Sequence, residues 1–89
     1  MRLDIYGSGK VYKLNWNKKQ GTHLGYFNGE LFVSDKYTIK DLKEYDYLHI
    51  YTNQGLKWHI PKRFTKNIEK QLKTIYINEY GTEIQRSLF

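Results

Sequence analysis

A change of hydrophobic period divides this chain. Up to Pro61 apolar residues alternate with polar ones, as half-buried strands require. From Thr65 they recur three and four residues apart, as on one face of a helix. Strands first and a helix last predict an α+β domain, a small antiparallel β-roll or barrel of about six strands closed by one C-terminal helix. Ile68, Leu72 and Ile75 form the apolar stripe of that helix, Lys66, Asn67, Lys70 and Lys73 its polar side, and Gly81 its stop. Phe64 is expected to staple against Ile68 or the aliphatic stem of Glu69.

Three hairpins organise the strand region. In the first, Ser8-Gly9 turns the chain so that Ile5 faces Tyr12, Leu3 faces Leu14 and Asp4 faces Lys13. In the second, Asn28-Gly29 reads as a two-residue type I′ turn, which sets Tyr26 against Leu31 and Leu24 against Val33. Thr38, with Asp41 three residues on, caps a single helical turn over 38–43. The third hairpin turns at Asn53-Gln54-Gly55. A three-residue loop there pairs Leu48 with Ile60, Ile50 with Trp58 and Thr52 with Leu56 on the inner face. Tyr47, His49, Tyr51, Lys57 and His59 then lie outside. A two-residue loop sets Ile50 against Lys57 and mixes the faces, so Trp58 is expected in the core and Tyr51 outside it.

The 89 residues are expected to make one domain over 1–81, with 82–89 as a tail whose Ile84, Leu88 and Phe89 are apolar enough to dock. Nine Tyr, four Phe and two Trp argue against disorder and for an aromatic core. The chain has no cysteine, which removes disulfides, thiol nucleophiles and thiolate metal sites. It offers no apolar run of membrane-spanning length and no signal-peptide core, so a cytoplasmic location and no membrane partner are expected. There is no alanine, one Pro and three Arg, against twelve Lys, eight Ile and six Asn. Codons for the abundant residues are AT-rich, which points to a low-GC genome such as that of a Firmicute, its phages or another AT-rich virus.

The inventory of reactive groups is thin. Gly7-Ser8-Gly9-Lys10 lacks the spacer and the following Ser/Thr of a phosphate loop and reads as a turn. Ser8, Ser34 and Ser87 have no nucleophile-elbow context, and the acidic residues are scattered. The expectation is a protein that is not an enzyme and carries no cofactor. His49 and His59 face each other, but zinc needs about two more ligands and only His23, Glu44 or Asp46 are offered, so no metal site is expected.

What stands out is a surface. Tyr47, His49, Tyr51, Lys57 and His59 form an aromatic and basic patch on the outside of the third hairpin, the expected partner-binding site. The expected function is that of a small binder, encoded by a phage or mobile element. In the manner of anti-defence or anti-CRISPR proteins, it would regulate or inhibit a larger host protein or nucleoprotein in the host cytoplasm. The alternative is a nucleic-acid-binding accessory protein. It rests on the net charge of +6 and would use Lys10, Lys18, Lys19, Lys57, Lys62, Arg63, Lys66 and Lys70. Scarcity of Arg weighs against base reading, which favours that residue.

The segment Tyr45-Asp46-Tyr47-Leu48-His49-Ile50-Tyr51-Thr52, a tight turn, and then Trp58-His59-Ile60-Pro61-Lys62-Arg63-Phe64 leads into the helix. Over residues 45–75 this resembles the C-terminal strand and helix of bacterial pleckstrin-homology-like domains of the YcxB type. In that family the last strand runs through an Ile-Pro-Lys-Arg-like stretch into a C-terminal helix. The resemblance implies a β-roll with a C-terminal helix and leaves function open.

Overall fold

The computed structural model describes residues 1–9 and 18–81. Strands β1 (Leu3–Ser8), β2 (Thr22–Phe27) and β3 (Phe32–Val33) are followed by a single helical turn, α1 (Ile39–Leu42). Strands β4 (Tyr47–Thr52) and β5 (Gly55–Pro61) then lead through a turn of 3-10 helix (Lys62–Phe64) into α2 (Ile68–Tyr80). All pairings are antiparallel, and the order across the sheet is β3-β2-β1-β4-β5. The fold is thus α+β, as the change of period predicts, but the five-stranded sheet is open rather than a closed roll or barrel. Strand β1 lies between β2 and β4, with Ile5 opposite Gly25 on one side and Ile50 on the other. The second strand of the expected first hairpin, with Tyr12, Lys13 and Leu14, falls in residues 10–17. Residues 10–17 themselves, like the 82–89 tail, lie outside the described residues.

The core forms where α2 lies on one face of the sheet. Ile68, Leu72 and Ile75 pack with Leu3, Ile5, Leu48, Ile50 and Ile60, joined by Leu24, Phe27 and Leu42. Burying apolar area from water is the main favourable term, worth about 25 cal/mol per Å². The far end of α2 is pinned to the start of β1, where the Tyr76 and Tyr80 hydroxyls donate to the carbonyls of Met1 (3.3 Å) and Arg2 (2.7 Å). Gly81 ends the helix at φ 77° and donates its N–H to the Ile77 carbonyl. At the other end Thr65 does not open the helix. Its N–H and hydroxyl both donate to the Lys62 carbonyl, closing the 3-10 turn, and α2 begins three residues later. Phe64 is correspondingly no staple. It is 55% exposed, with the Arg63 guanidinium 4.8 Å from its ring centre.

The hairpins keep their expected partners at one end and change register at the other. In β4–β5, Tyr47 faces Pro61, Leu48 faces Ile60, His49 faces His59 and Ile50 faces Trp58, as predicted. Beyond Ile50 the register shifts to Tyr51 with Leu56 and Thr52 with Gly55. The loop is therefore the two-residue Asn53-Gln54, and Lys57 is the extra residue of a bulge that restores the pairing of Ile50 with Trp58. A bulge also re-aims its neighbours. Trp58, on this edge strand, is 48% exposed instead of buried. In β2–β3 the turn moves one residue on, with Tyr26 opposite Val33 and Phe27 opposite Phe32. The Asn28 N–H donates to the Leu31 carbonyl at 3.2 Å, which leaves Gly29-Glu30 as the two-residue turn. The Asn28 side chain accepts the N–H groups of Glu30 (2.8 Å) and Leu31 (3.0 Å), a local bridge that competes with the type I′ turn. A second bulge, at Leu24, sets Gly25 opposite Ile5. A Cβ on Gly25 would lie 2.8 Å from the Phe32 ring and 2.4 Å from the Val33 carbonyl oxygen, so only glycine lets β3 close over it. The predicted turn at Thr38 forms as expected, with the Thr38 N–H donating to Asp41 Oδ2 at 2.8 Å.

These positions separate core from edge. Leu72→Ala should lower the unfolding free energy by roughly 2–5 kcal/mol, whereas Trp58→Ala should cost only about 1 kcal/mol. Urea denaturation of the two variants tests this, and equal losses would contradict the exposed placement of Trp58.

Candidate contact surface

Alternation along the strands sends Asp4, Tyr6 and Ser8 of β1 and Tyr47, His49 and Tyr51 of β4 to the face away from α2. Across the ladder Asp4 faces Tyr51, Tyr6 faces His49 and Ser8 faces Tyr47. This side is the outer face expected from the sequence, but it is not open to solvent. The Tyr51 hydroxyl donates to the Lys18 carbonyl and accepts the Gln20 N–H, both at 3.2 Å, so residues 18–20 lie over it. His49 is 0% exposed and Tyr51 1%. Neither is an exposed anchor, contrary to their expected place outside the core. Tyr47 and His59 remain half-buried and reachable.

The histidines form a chain of contacts with Ser8. Ser8 Oγ lies 2.7 Å from His49 Nε2, and His49 Nδ1 lies 3.1 Å from His59 Nδ1. The His59 ring stacks on Tyr47 with centroids 4.6 Å apart and planes 18° from parallel. Burial, with His59 alongside, pushes His49 down to about 4, and burial lowers His59 too, so both are neutral at pH 7. Burial likewise raises the Tyr51 hydroxyl, against the opposing pull of the Gln20 N–H. Among the described residues no group of three His, Asp or Glu side chains converges as metal ligands would, at this pair or elsewhere.

Several cations expected at a binding surface are spent inside the fold. Asp4, 8% exposed, takes Arg2, Lys19 and His23, each at 3.3 Å. Lys57 pairs with Glu79 of α2 at 3.5 Å. Lys18 is exposed beside this lid, and Lys10 lies outside the described residues.

The remaining cations gather where β5 runs into α2. Lys62 and Arg63 share a shallow depression with Tyr47, Pro61 and Asp46. Lys66 and Lys70 share the next one with Lys43, Asn67 and Glu69. Lys43, Lys62, Arg63, Lys66 and Lys70 are all exposed, and none forms an ion pair among the described residues. Phe64, which lies between Arg63 and Lys66 in the chain, is exposed. The structure thus brings Tyr47 and His59 of the expected protein-binding patch next to Lys62 and Arg63 of the expected nucleic-acid set, and leaves Lys57, His49 and Tyr51 out. Lys43 and Phe64 are not among the contact residues expected from the sequence, which assigns Phe64 to a staple. The Lys-Arg-Phe run directly after the last strand was the available signal for Phe64, while Lys43 joins only because α1 packs beside α2.

Comparison with protein-family models, with curated proteins and with solved structures finds no match for the chain. The likeness of residues 45–75 to pleckstrin-homology-like domains therefore rests on the quoted residues alone.

The lid over Tyr51 can be tested directly. Tyr51→Phe leaves the ring in place but strands the Lys18 carbonyl and the Gln20 N–H, and should cost about 1–2 kcal/mol in urea denaturation. An unchanged unfolding midpoint would mean that residues 18–20 do not depend on that hydroxyl.

Proposed function

We propose that this chain is a small non-enzymatic binding protein that attaches to an acidic surface of a larger host protein or nucleoprotein and regulates or inhibits it. The observation that carries the reading is the group of exposed cations Lys43, Lys62, Arg63, Lys66 and Lys70, without an ion pair among the described residues, with the exposed ring of Phe64 against Arg63. Like charges held together repel one another, and among the described residues none of the five has an ion-pair partner, with Asp46 and Glu69 the carboxylates that line the same depressions. An acidic partner offsets that repulsion and is steered toward the patch as it approaches. Phe64, Arg63 and the Tyr47–His59 stack supply the aromatic and guanidinium groups that dominate interface energy. The AT-rich composition fits a phage or mobile-element origin and action in the host cytoplasm.

A second reading is favoured by one feature, the interleaving of rings with cations. Tyr47, Lys62, Arg63, Phe64 and Lys66 alternate stacking surfaces with phosphate-binding charge, as single-stranded nucleic acid requires. A pull-down from a low-GC bacterial lysate, with and without nuclease, separates the two. A partner retained after digestion supports the protein reading, and one lost with the nucleic acid supports the alternative.

Charge reversal tests the surface common to both. The combined variant Lys62→Glu/Arg63→Glu/Lys66→Glu should stay folded, since exposed substitutions each change stability by about 0.5 kcal/mol or less. It should lose at least about tenfold in partner affinity, while Lys57→Gln on the Glu79 side should bind as the parent does. Equal capture by the charge-reversed protein would place the working surface elsewhere.

A further inference from the structure

Two imidazoles that meet through their Nδ1 atoms share one proton. At the 3.1 Å separation of His49 and His59 one Nδ1 carries hydrogen and the other offers its lone pair. The remaining contacts are compatible with one complete arrangement. His59 Nδ1–H donates to His49 Nδ1, His49 Nε2–H donates to Ser8 Oγ, and the Ser8 hydroxyl donates to the Gly9 carbonyl at 3.2 Å. One extra proton fits on the outer nitrogen of His59 without breaking any of these bonds. The next proton has only His49 Nδ1, where it points straight at the His59 N–H.

Among the described residues no carboxylate bonds either ring of the pair to repay that second charge. Tyr6 and Ser8 face it from β1, Tyr47 and Tyr51 flank it on β4, and His59 faces it from β5. The described carboxylates at this end of the sheet have other neighbours. Asp4 holds Arg2, Lys19 and His23, and Asp46 sits beside Gly9 at the exposed end of β1. Lys19 adds positive charge to the same face, with its ammonium 5.8 Å from the centre of the Tyr6 ring.

We propose that the His49–His59 pair is an acid-released latch that seats Tyr47 at the edge of the contact surface and lets it go when His49 takes up a proton. The seat is the His59 ring itself, on which Tyr47 stacks, and Tyr47 borders the depression that holds Lys62 and Arg63. Burial holds His49 at about 4, below the ordinary histidine value of about 6.5. The sign follows from linkage. The parted pair binds protons more readily than the closed one, so the closed state is fully favoured above about pH 6.5. It loses ground as pH falls toward the His49 value. The link to partner binding rests on the function proposed above; the latch itself does not.

Side-chain NMR of the full chain from about pH 8 down to about pH 3.5 tests the latch without any partner, so it stands or falls separately from the charge-reversal experiment. The expected result is a neutral His49 at pH 7 and Tyr47 ring resonances that move in step with His49 at a midpoint near 4. In His59→Gln the Tyr47 movement at that midpoint should vanish while the backbone spectrum stays folded. His49→Gln provides the same check from the other partner. Tyr47 unmoved while His49 titrates would overturn the proposal, as would both histidines titrating near the ordinary value. Tyr47 moving only together with the methyl groups of Ile50 and Leu72 marks global unfolding and would overturn it too.

Discussion

Backbone pairing along both edges of β1 is the constraint on which the rest of this structure depends. β1 comes first in the chain yet lies third across the sheet, between β2 and β4. Each of these ladders closes a long connection before its hydrogen bonds repay the lost entropy. The hairpins β2–β3 and β4–β5 are local, but neither can bury a face until it docks on β1. Once it does, the parity of β1 assigns every neighbour. Leu3 and Ile5 look toward α2, and Asp4, Tyr6 and Ser8 look away from it.

The two faces are held by different chemistry. Under α2 the contacts are apolar and close around Leu72 and Ile50. On the far side buried polar groups are matched one by one, because an unmatched buried donor or acceptor costs about 1–3 kcal/mol. Asp4 has Arg2, Lys19 and His23, the Tyr51 hydroxyl has Lys18 and Gln20, and His49 has Ser8 and His59. Among the described residues no buried side-chain nitrogen or oxygen lacks a partner. The same matching sorts the positive charge. Arg2, Lys19 and Lys57 are absorbed by carboxylates, and Lys62, Arg63, Lys66 and Lys70 are not. The proposed contact lies where the fold leaves charge unspent, and the stacked Tyr47–His59 rings join it to the buried histidine.

Register shows where local reading reaches its limit. Asn28-Gly29 does mark a turn, but the Asn28 side chain captures two amides and the turn moves one residue on, to Gly29-Glu30. At the third hairpin the pairing of Leu48, His49 and Ile50 is right although the loop is one residue shorter than expected. The bulge at Lys57 absorbs the difference, and no alternation pattern announces a bulge. Trp58 and Tyr51 are exchanged for the same underlying reason. Alternation tells which side of a sheet a residue takes, whereas burial depends on what covers that side. Residues 18–20 cover Tyr51, and among the described residues none covers Trp58 comparably at the sheet edge.

By itself, then, the sequence determined what short-range contacts decide. The apolar stripe of α2, the Thr38–Asp41 cap, the glycine stop at Gly81 and the opposition of His49 and His59 each depend on residues a few positions apart or joined by one hairpin. Tertiary structure alone decided that β1 lies between β2 and β4, that the sheet stays open, and that the outer face carries a lid. It also decided which lysines keep their charge free, because Lys19 and Lys57 meet Asp4 and Glu79 only after strands and helix distant in the chain have packed together. Those outcomes turn on pairing and burial across dozens of residues, and no local period encodes which distant surface arrives.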